Sequence, residues 1–238
     1  MKIALIGYGK MGRAIEEIAV KRGHEIVLKI DVDNAADLNA ENIYKADVAS
    51  EFTGPASAFE NVSKCLQFRV PVVCGSTGWL QHWPEVKALC EQQEAALVYA
   101  SNYSVGVNIF FELNKRLAEL MALHHEYEVS LVEVHHTQKK DAPSGTAVSL
   151  AEQVLEILPR KTTWVNHLSD NANELEIISE RIDPAPGTHK VKYASSIDDI
   201  EIIHTAHNRT GFATGAVMAA EFIPGKKGIF GMKEVLGL

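Results

Sequence analysis

Two rhythms alternate along the first hundred residues. Short runs that are apolar at nearly every position (Lys2 to Ile6, Glu25 to Ile30, Val48 to Phe52, Val70 to Cys74, Ala96 to Tyr99) are separated by stretches with helical spacing. Those stretches are a segment from Met11 with Ala14, Ile15, Ile18 and Ala19 on one face, one around Ala56 to Gln67, and one near Trp83 to Glu94. Strand side chains alternate between faces, so an unbroken apolar run suits a strand buried on both sides. Repeated strand–helix units make a parallel sheet.

Beyond Val107 the pattern changes. A helix is expected through about Ala122, then a strand from Tyr127 to His135, then a helix in which Ala147, Leu150, Ala151, Val154, Leu155 and Leu158 share a face up to Pro159. Short strands follow at Leu175 to Arg181, Val191 to Ala194 and Ile200 to Ala206, which suits an open mixed sheet in a second, α+β domain. Gly215 to Phe222 reads as a last helix, and periodicity does not say which domain receives it.

The first strand runs directly into Gly7-Tyr8-Gly9-Lys10-Met11-Gly12, and a helix opens there. In a strand–GxGxxG–helix unit the first glycine allows the turn, the second admits a pyrophosphate to the backbone, and the third lets helix and strand pack closely. The second strand ends at Asp31, about where an acid accepts hydrogen bonds from an adenosine ribose and repels a 2′-phosphate. The N-terminal domain is therefore expected to be Rossmann-like and to prefer NADH over NADPH, with Lys29 and Lys10 near enough to blur the preference. The loops Thr53-Gly54-Pro55, Gly75-Ser76-Thr77-Gly78 and Ser101-Asn102-Tyr103 follow strands and collect at the carboxyl edge, where open α/β sheets bind ligands.

A second cluster is Glu133 to Ala147, EVHHTQKKDAPSGTA. A helix start at Ser144, Gly145 and Thr146 presents unpaired N–H groups and a partial positive charge to a carboxylate, and Lys139 and Lys140 add full charges. His135 and His136 are the side chains suited to proton transfer near neutrality. Each part also has a plain reading. Successive strand histidines put one ring inside and one in water, paired lysines are usually solvated, and Ser144 serves as a helix cap.

Composition narrows the partners. The chain has 238 residues, 46% hydrophobic and 23% charged, with a formal net charge of −8, so neither nucleic acid nor an anionic membrane is an expected partner. Three cysteines without CxxC spacing, and the absence of any long apolar run, predict a soluble, cytoplasmic protein with reduced thiols. No metal site is expected. The residues alone leave open another Rossmann-type amino-acid or semialdehyde dehydrogenase, which has no need of the Pro-Ser-Gly-Thr seat. They also leave open a nonenzymatic NADH sensor, which has no need of His135 with Lys139.

The chain resembles the dihydrodipicolinate reductase family from end to end. His135 through Ala147 matches the family string HHxxKxDAPSGTA; further matches are Phe52-Thr53 with Pro55, Gly75 to Gly78, Asn102 with Ser104 to Asn108, Pro186 to His189, Arg209, and Phe212 to Val217. The resemblance implies an NAD(P)H-dependent reductase of a cyclic dicarboxylate in lysine and diaminopimelate biosynthesis. By position it implies His135 as proton donor, Lys139 as second catalytic group, and His136, Gly145 and Thr146 as substrate contacts. It implies a cofactor shell of Gly7, Tyr8, Gly9, Lys10, Met11, Gly12, Asp31, Gly75, Ser76, Thr77, Ala100, Ser101, Asn102 and Tyr103. It further implies a nucleotide domain of 1–106 and 208–238, a substrate and oligomerisation domain of 107–207, a homotetramer built through the second sheet, and domain closure during catalysis. The first glycine loop is a residue shorter than the family's GxxGxMG, and Glu51, Ser76 and Tyr103 replace the usual Asp, Thr and Phe.

Overall fold

A computed structural model describes residues 1–208 and 210–238; the family match at Arg209 lies outside the described residues. The chain forms two compact units, Met1–Val105 with Thr210–Leu238, and Gly106–Arg209.

The first unit is a parallel sheet between two helical layers. Its strands are β1 (Lys2–Ile6), β2 (Glu25–Ile30), β3 (Val48–Glu51), β4 (Val72–Cys74), β5 (Ala96–Tyr99) and, from the far end of the chain, β11 (Gly228–Phe230), in the order β11-β5-β4-β3-β1-β2. Alternate residues of β1 serve the two faces. Ala4 and Ile6 pack in one core with Val62, Leu66 and Val86 from helices α3 (Ala58–Gln67) and α4 (Trp83–Gln92). Ile3 and Leu5 pack in the other with Ile15 and Ala19 of α1 (Lys10–Lys21) and Ala213, Ala216 and Val217 of α7 (Thr210–Phe222). Helix α7 is buried nearly all round, which is why periodicity could not orient it. At Gly215 an added Cβ would sit 1.7 Å from the Tyr103 carbonyl oxygen, so only glycine lets α7 approach.

The second unit is a mixed sheet in the order β10-β9-β6-β8-β7. Its strands are β6 (Glu128–His135), β7 (Thr163–Val165), β8 (Glu174–Arg181), β9 (Thr188–Ala194) and β10 (Asp199–Thr205). Strand β6 pairs parallel with β8 and antiparallel with β9. Helices α5 (Val105–Met121) and α6 (Gly145–Ile157) cover one face, where Phe110, Ala118, Leu150 and Val154 meet Val129, Leu131, Ile177 and Tyr193. The sequence EVSLVEVH alternates strictly, which places Val129, Leu131, Glu133 and His135 together on that covered face.

Most element edges differ from the sequence pattern by one or two residues, while β9 begins three residues before Val191 and α7 five before Gly215. Strand β4 begins at Val72 rather than Val70, because Arg69 has φ 56° and Pro71 has no N–H to give a ladder. Short elements escaped the pattern: a 3-10 turn at Val32–Asp37, α2 (Ala40–Ile43), β7, β11 and α8 (Met232–Leu236). None is long enough to show a period.

Candidate active site

The glycine loop has the geometry its spacing implies. Gly7 has φ 93° and donates its N–H to Ile30 at 2.8 Å; an added Cβ there would lie 2.3 Å from the Phe52 carbonyl oxygen. At Gly12 the same atom would be 2.2 Å from the Gly7 oxygen, so this glycine serves helix–strand packing. Gly9 has nothing within 4 Å of such an atom and precedes α1, leaving its backbone open to a ligand. Gly7, Gly9, Asp31, Val32 and the loop from Phe52 to Ser57 line a pocket of about 550 Å³ beside the carboxyl ends of β1, β2 and β3. That concavity and glycine turn fit a dinucleotide.

Asp31 is fixed at the pocket edge. Its Oδ1 accepts the Val32 N–H at 2.9 Å, and Asn34 Oδ1 accepts the Asp31 N–H at 2.7 Å. Lys29 is held: its Nζ is 2.7 Å from Glu16 Oε1 and 3.2 Å from the Tyr8 hydroxyl, which also bonds Glu16. The bond from Lys29 holds the Glu16 carboxyl below its ordinary value, and Glu16 raises the Lys29 ammonium. The Tyr8 ring lies between cations, with Arg13 at 4.8 Å and Lys29 at 4.6 Å from its centroid.

Several residues of the expected cofactor shell support loops. Tyr103 is 2% exposed, and its hydroxyl is 2.8 Å from the Cys74 carbonyl oxygen and 3.0 Å from that of Val98. Its side chain is therefore part of the core. Gly75 makes room for the Phe52 ring, which an added Cβ would meet at 2.1 Å, and the buried Ser76 Oγ accepts the Thr53 N–H at 2.9 Å. Glu51, fully buried, bonds the Thr53 hydroxyl and lies 3.1 Å from Cys74 Sγ. Burial, then Glu51, keeps the Cys74 thiol protonated. Lys10, Thr77 and Ser101 are exposed, and Met11, Ala100 and Asn102 half-buried.

In the second unit β6, β8 and β9 bring a set of polar groups to the start of α6. Glu133 is fully buried. Its Oε2 lies 2.5 Å from His135 Nδ1, while Oε1 faces the Arg181 guanidinium at 3.0 Å and the Ser144 N–H at 3.3 Å. Burial alone pushes the Glu133 carboxyl up; hydrogen bonds from His135, Ser179, Ser144 and Arg181 outweigh it and hold the group well below the usual carboxylate range. His189, also buried, places Nε2 3.1 Å from Ser144 Oγ and stands edge-on to the His135 ring, centroids 5.1 Å apart. Burial and then the His135 charge depress it to about 4. The Cβ an alanine would add at Gly187 falls 3.0 Å from His135 Nε2, so glycine keeps that nitrogen accessible.

Ser144 caps α6, its Oγ accepting the Ala147 N–H at 3.3 Å. Gly145 is exposed with open space around it. His136, the first residue past β6, is half-buried. Lys139 is bound to both carboxylate oxygens of Asp141, each at 2.9 Å. Its ammonium is thus held by a neighbouring carboxylate. The structure therefore brings His135 and Ser144 to one helix start through their shared neighbour Glu133, with Gly145 and Thr146 next along the turn.

Sequence reasoning missed Glu133, Arg181, Gly187 and His189. A usable signal was a charged residue two places before His135 on the apolar face of β6. Glu133, His135 and His189 hold donor atoms within 4.8 Å of one another, a spacing that suits a metal ion. The Arg181 cation, 3.0 Å from Glu133 Oε1, already compensates that carboxylate and opposes a second positive charge.

Comparison with known proteins shows the family. The family description "Dihydrodipicolinate reductase, N-terminus" matches residues 1–103, and "Dihydrodipicolinate reductase, C-terminus" matches 106–236. The 4-hydroxy-tetrahydrodipicolinate reductase of Christiangramia forsetii is 48% identical over 237 residues, covering 99% of this chain and 98% of the relative. That of Methanoregula boonei is 34% identical over 257 residues, covering 100% and 98%. Among solved structures, a dipicolinate-bound dihydrodipicolinate reductase from Paenisporosarcina sp. TG-14 superposes with a TM-score of 0.78 at 24% identity, covering 98% of each chain.

Proposed function

The chain belongs to the dihydrodipicolinate reductase family, and from that premise we propose how its residues divide the work of an NAD(P)H-dependent 4-hydroxy-tetrahydrodipicolinate reductase of lysine and diaminopimelate biosynthesis. The observation that carries the division is the buried His135–Glu133 pair beside the start of α6.

Replacing the ring hydroxyl by hydrogen requires loss of water, then hydride at one ring carbon and a proton at its neighbour. The bound nicotinamide supplies the hydride. One substrate carboxylate rests on the backbone N–H groups of Gly145 and Thr146, with Lys139 and the exposed helix start providing positive potential. His136, just past the end of β6, is a further contact. His135 delivers the proton from Nε2, the nitrogen left accessible by Gly187, while Nδ1 is held by Glu133. Holding the ring in one orientation is itself a large share of the rate.

The glycine loop and Asp31 receive the dinucleotide. Asp31 at the pocket rim and a Lys29 occupied by Glu16 together favour NADH over NADPH. We place the protein in the cytoplasm; no helix among the described residues is long and apolar enough to cross a membrane. A homotetramer is supported by the uncovered face of the second sheet, where Ile178, Val132 and Ile203 fall in one row across β8, β6, β9 and β10 with Lys190 between them. Ile203 is 57% exposed there.

The direct test generates the substrate in situ from pyruvate and aspartate semialdehyde and follows loss of reduced-nicotinamide absorbance with NADH and with NADPH. Turnover with NADH the better cofactor is expected. His135→Gln is expected to lower kcat by about 10²-fold with NADH affinity retained; unchanged turnover retires His135 as the donor.

A further inference from the structure

We infer that Glu133 is a positioning residue that locks the proton donor and the carboxylate seat into one rigid unit. The inference rests on the reading of His135 and the α6 start given above, and adds the group that couples them.

The geometry is specific to a carboxylate. Glu133 is fully buried, and its two oxygens are divided between the two halves of the site: Oε2 toward His135 Nδ1 at 2.5 Å, Oε1 toward the Ser144 N–H at 3.3 Å and Arg181 at 3.0 Å. Of these partners Ser144 N and Arg181 can only donate, and His135 Nδ1 donates when protonated. A carboxylate presents one oxygen to each half of the site, Oε1 accepting from Ser144 and Arg181 and Oε2 in ion-pair contact with His135 Nδ1; no neutral side chain of that shape does both. Because Nδ1 stands against the Glu133 carboxylate, the proton to be delivered falls to Nε2, the nitrogen that a Cβ at Gly187 would crowd at 3.0 Å.

The second contact sets where the substrate sits. Ser144 is the cap of α6, so a bond from its N–H to Glu133 fixes the first turn whose Gly145 and Thr146 N–H groups receive the carboxylate. Ser144 Oγ continues to His189 Nε2 at 3.1 Å, and the His189 ring stands against His135, closing a ring of contacts around the site. One side chain thereby sets both the proton's exit and the anion's seat, and their separation is fixed on the protein rather than by the ligand.

The substitution Glu133→Gln replaces one acceptor by an NH2 donor. Turned toward Ser144 and Arg181, that donor opposes two donors and the seat loosens. Turned toward His135, it opposes Nδ1–H and shifts the ring proton. Both outcomes damage catalysis, so the variant is expected to lose roughly 10- to 100-fold in kcat and to raise substrate KM several-fold. NADH binding, which belongs to the other unit, should stay within about twofold of wild type.

The experiment measures three readouts on the full chain: steady-state kcat and KM with the substrate generated in situ, NADH dissociation constant by fluorescence, and ¹⁵N shifts of histidine rings assigned with His135→Gln. The wild-type neutral ring should carry its proton on Nδ1, and Glu133→Gln should shift that tautomer balance. Glu133→Asp is the second variant; it keeps the charge for Arg181 but is one methylene too short to hold both partners, and should lower kcat or raise KM at least fivefold or so. A folded Glu133→Gln protein with wild-type kcat, KM and ring-nitrogen shifts overturns the inference. So does equal loss of NADH affinity, or failure of both variants to fold, either of which makes Glu133 a general core residue. If wild-type protein consumes no substrate the proposed function falls instead, and the nitrogen shifts still report whether Glu133 governs His135.

Discussion

Acid should destabilise this protein through His189 before its carboxyl groups titrate. His189 is 5% exposed, and burial followed by repulsion from His135 takes its pKa from 6.5 to about 4. The folded state therefore keeps the ring neutral while the unfolded chain binds a proton, so stability falls as pH drops through the window from 6.5 toward 4. At pH 5 the unfolded ring is almost wholly protonated and the folded one about a tenth so. The linkage relation then assigns a loss of about 2 kcal/mol relative to pH 7.5. Glu133 acts lower down: its folded carboxyl is depressed, so its contribution is present above its ordinary 4.5 and lost as pH falls below it, outside the range measured. The assay is urea unfolding of wild type and His189→Gln at pH 7.5, 6.5, 5.8 and 5.0, with both fitted for free energy in water. The wild-type minus variant difference should decline by about 2 kcal/mol across that range. Parallel profiles would show that His189 is not held neutral in the fold, and the reasoning from burial would fail.

Two further predictions concern the dinucleotide unit. Asp31→Ala should reduce the ratio of kcat/KM with NADH to that with NADPH, and Glu16→Gln, which releases the Lys29 ammonium from its 2.7 Å partner, should raise NADPH efficiency by a few-fold; constant ratios in both would remove these residues from cofactor choice. Gly12→Ala forces a Cβ to 2.2 Å from the Gly7 oxygen and should cost about 1–3 kcal/mol in thermal or urea unfolding, together with NADH affinity, whereas Gly9→Ala should leave stability nearly unchanged.

The parts of this architecture readable from sequence are those in which one local rule dominates. Unbroken apolar runs at β1, β4 and β5 and the glycine spacing at 7, 9 and 12 each have a single physical cause, and the helix start at Ser144 is announced by its own cap. Much of the reactive centre is non-local. Glu133 meets Arg181 across 48 positions and Ser144 meets His189 across 45, contacts that exist only once β6, β8 and β9 pair in register. Tyr103 shows the opposite limit: its place after β5 suggested a ligand contact, but the ring is large enough to fill the space under Phe52, 5.4 Å away, and packing claimed it. Lys139 shows that a sequence can advertise a cation without showing what orients it, since Asp141 only two residues on holds its ammonium at 2.9 Å.

The return of α7 and β11 to the first unit has a consequence for how the protein is made. Residues 106–209 emerge from the ribosome with their own sheet and covering helices, while the sheet begun by β1 to β5 still lacks its outermost strand and the helix that seals Ile3, Leu5 and Val73. The later-translated segment can thus mature first, and the earlier one must wait, with an unpaired edge at β5 and an apolar surface open to chaperones, until the last thirty or so residues arrive. Premature termination within α7 should leave a stable fragment containing the histidine cluster beside a partner unable to retain nucleotide.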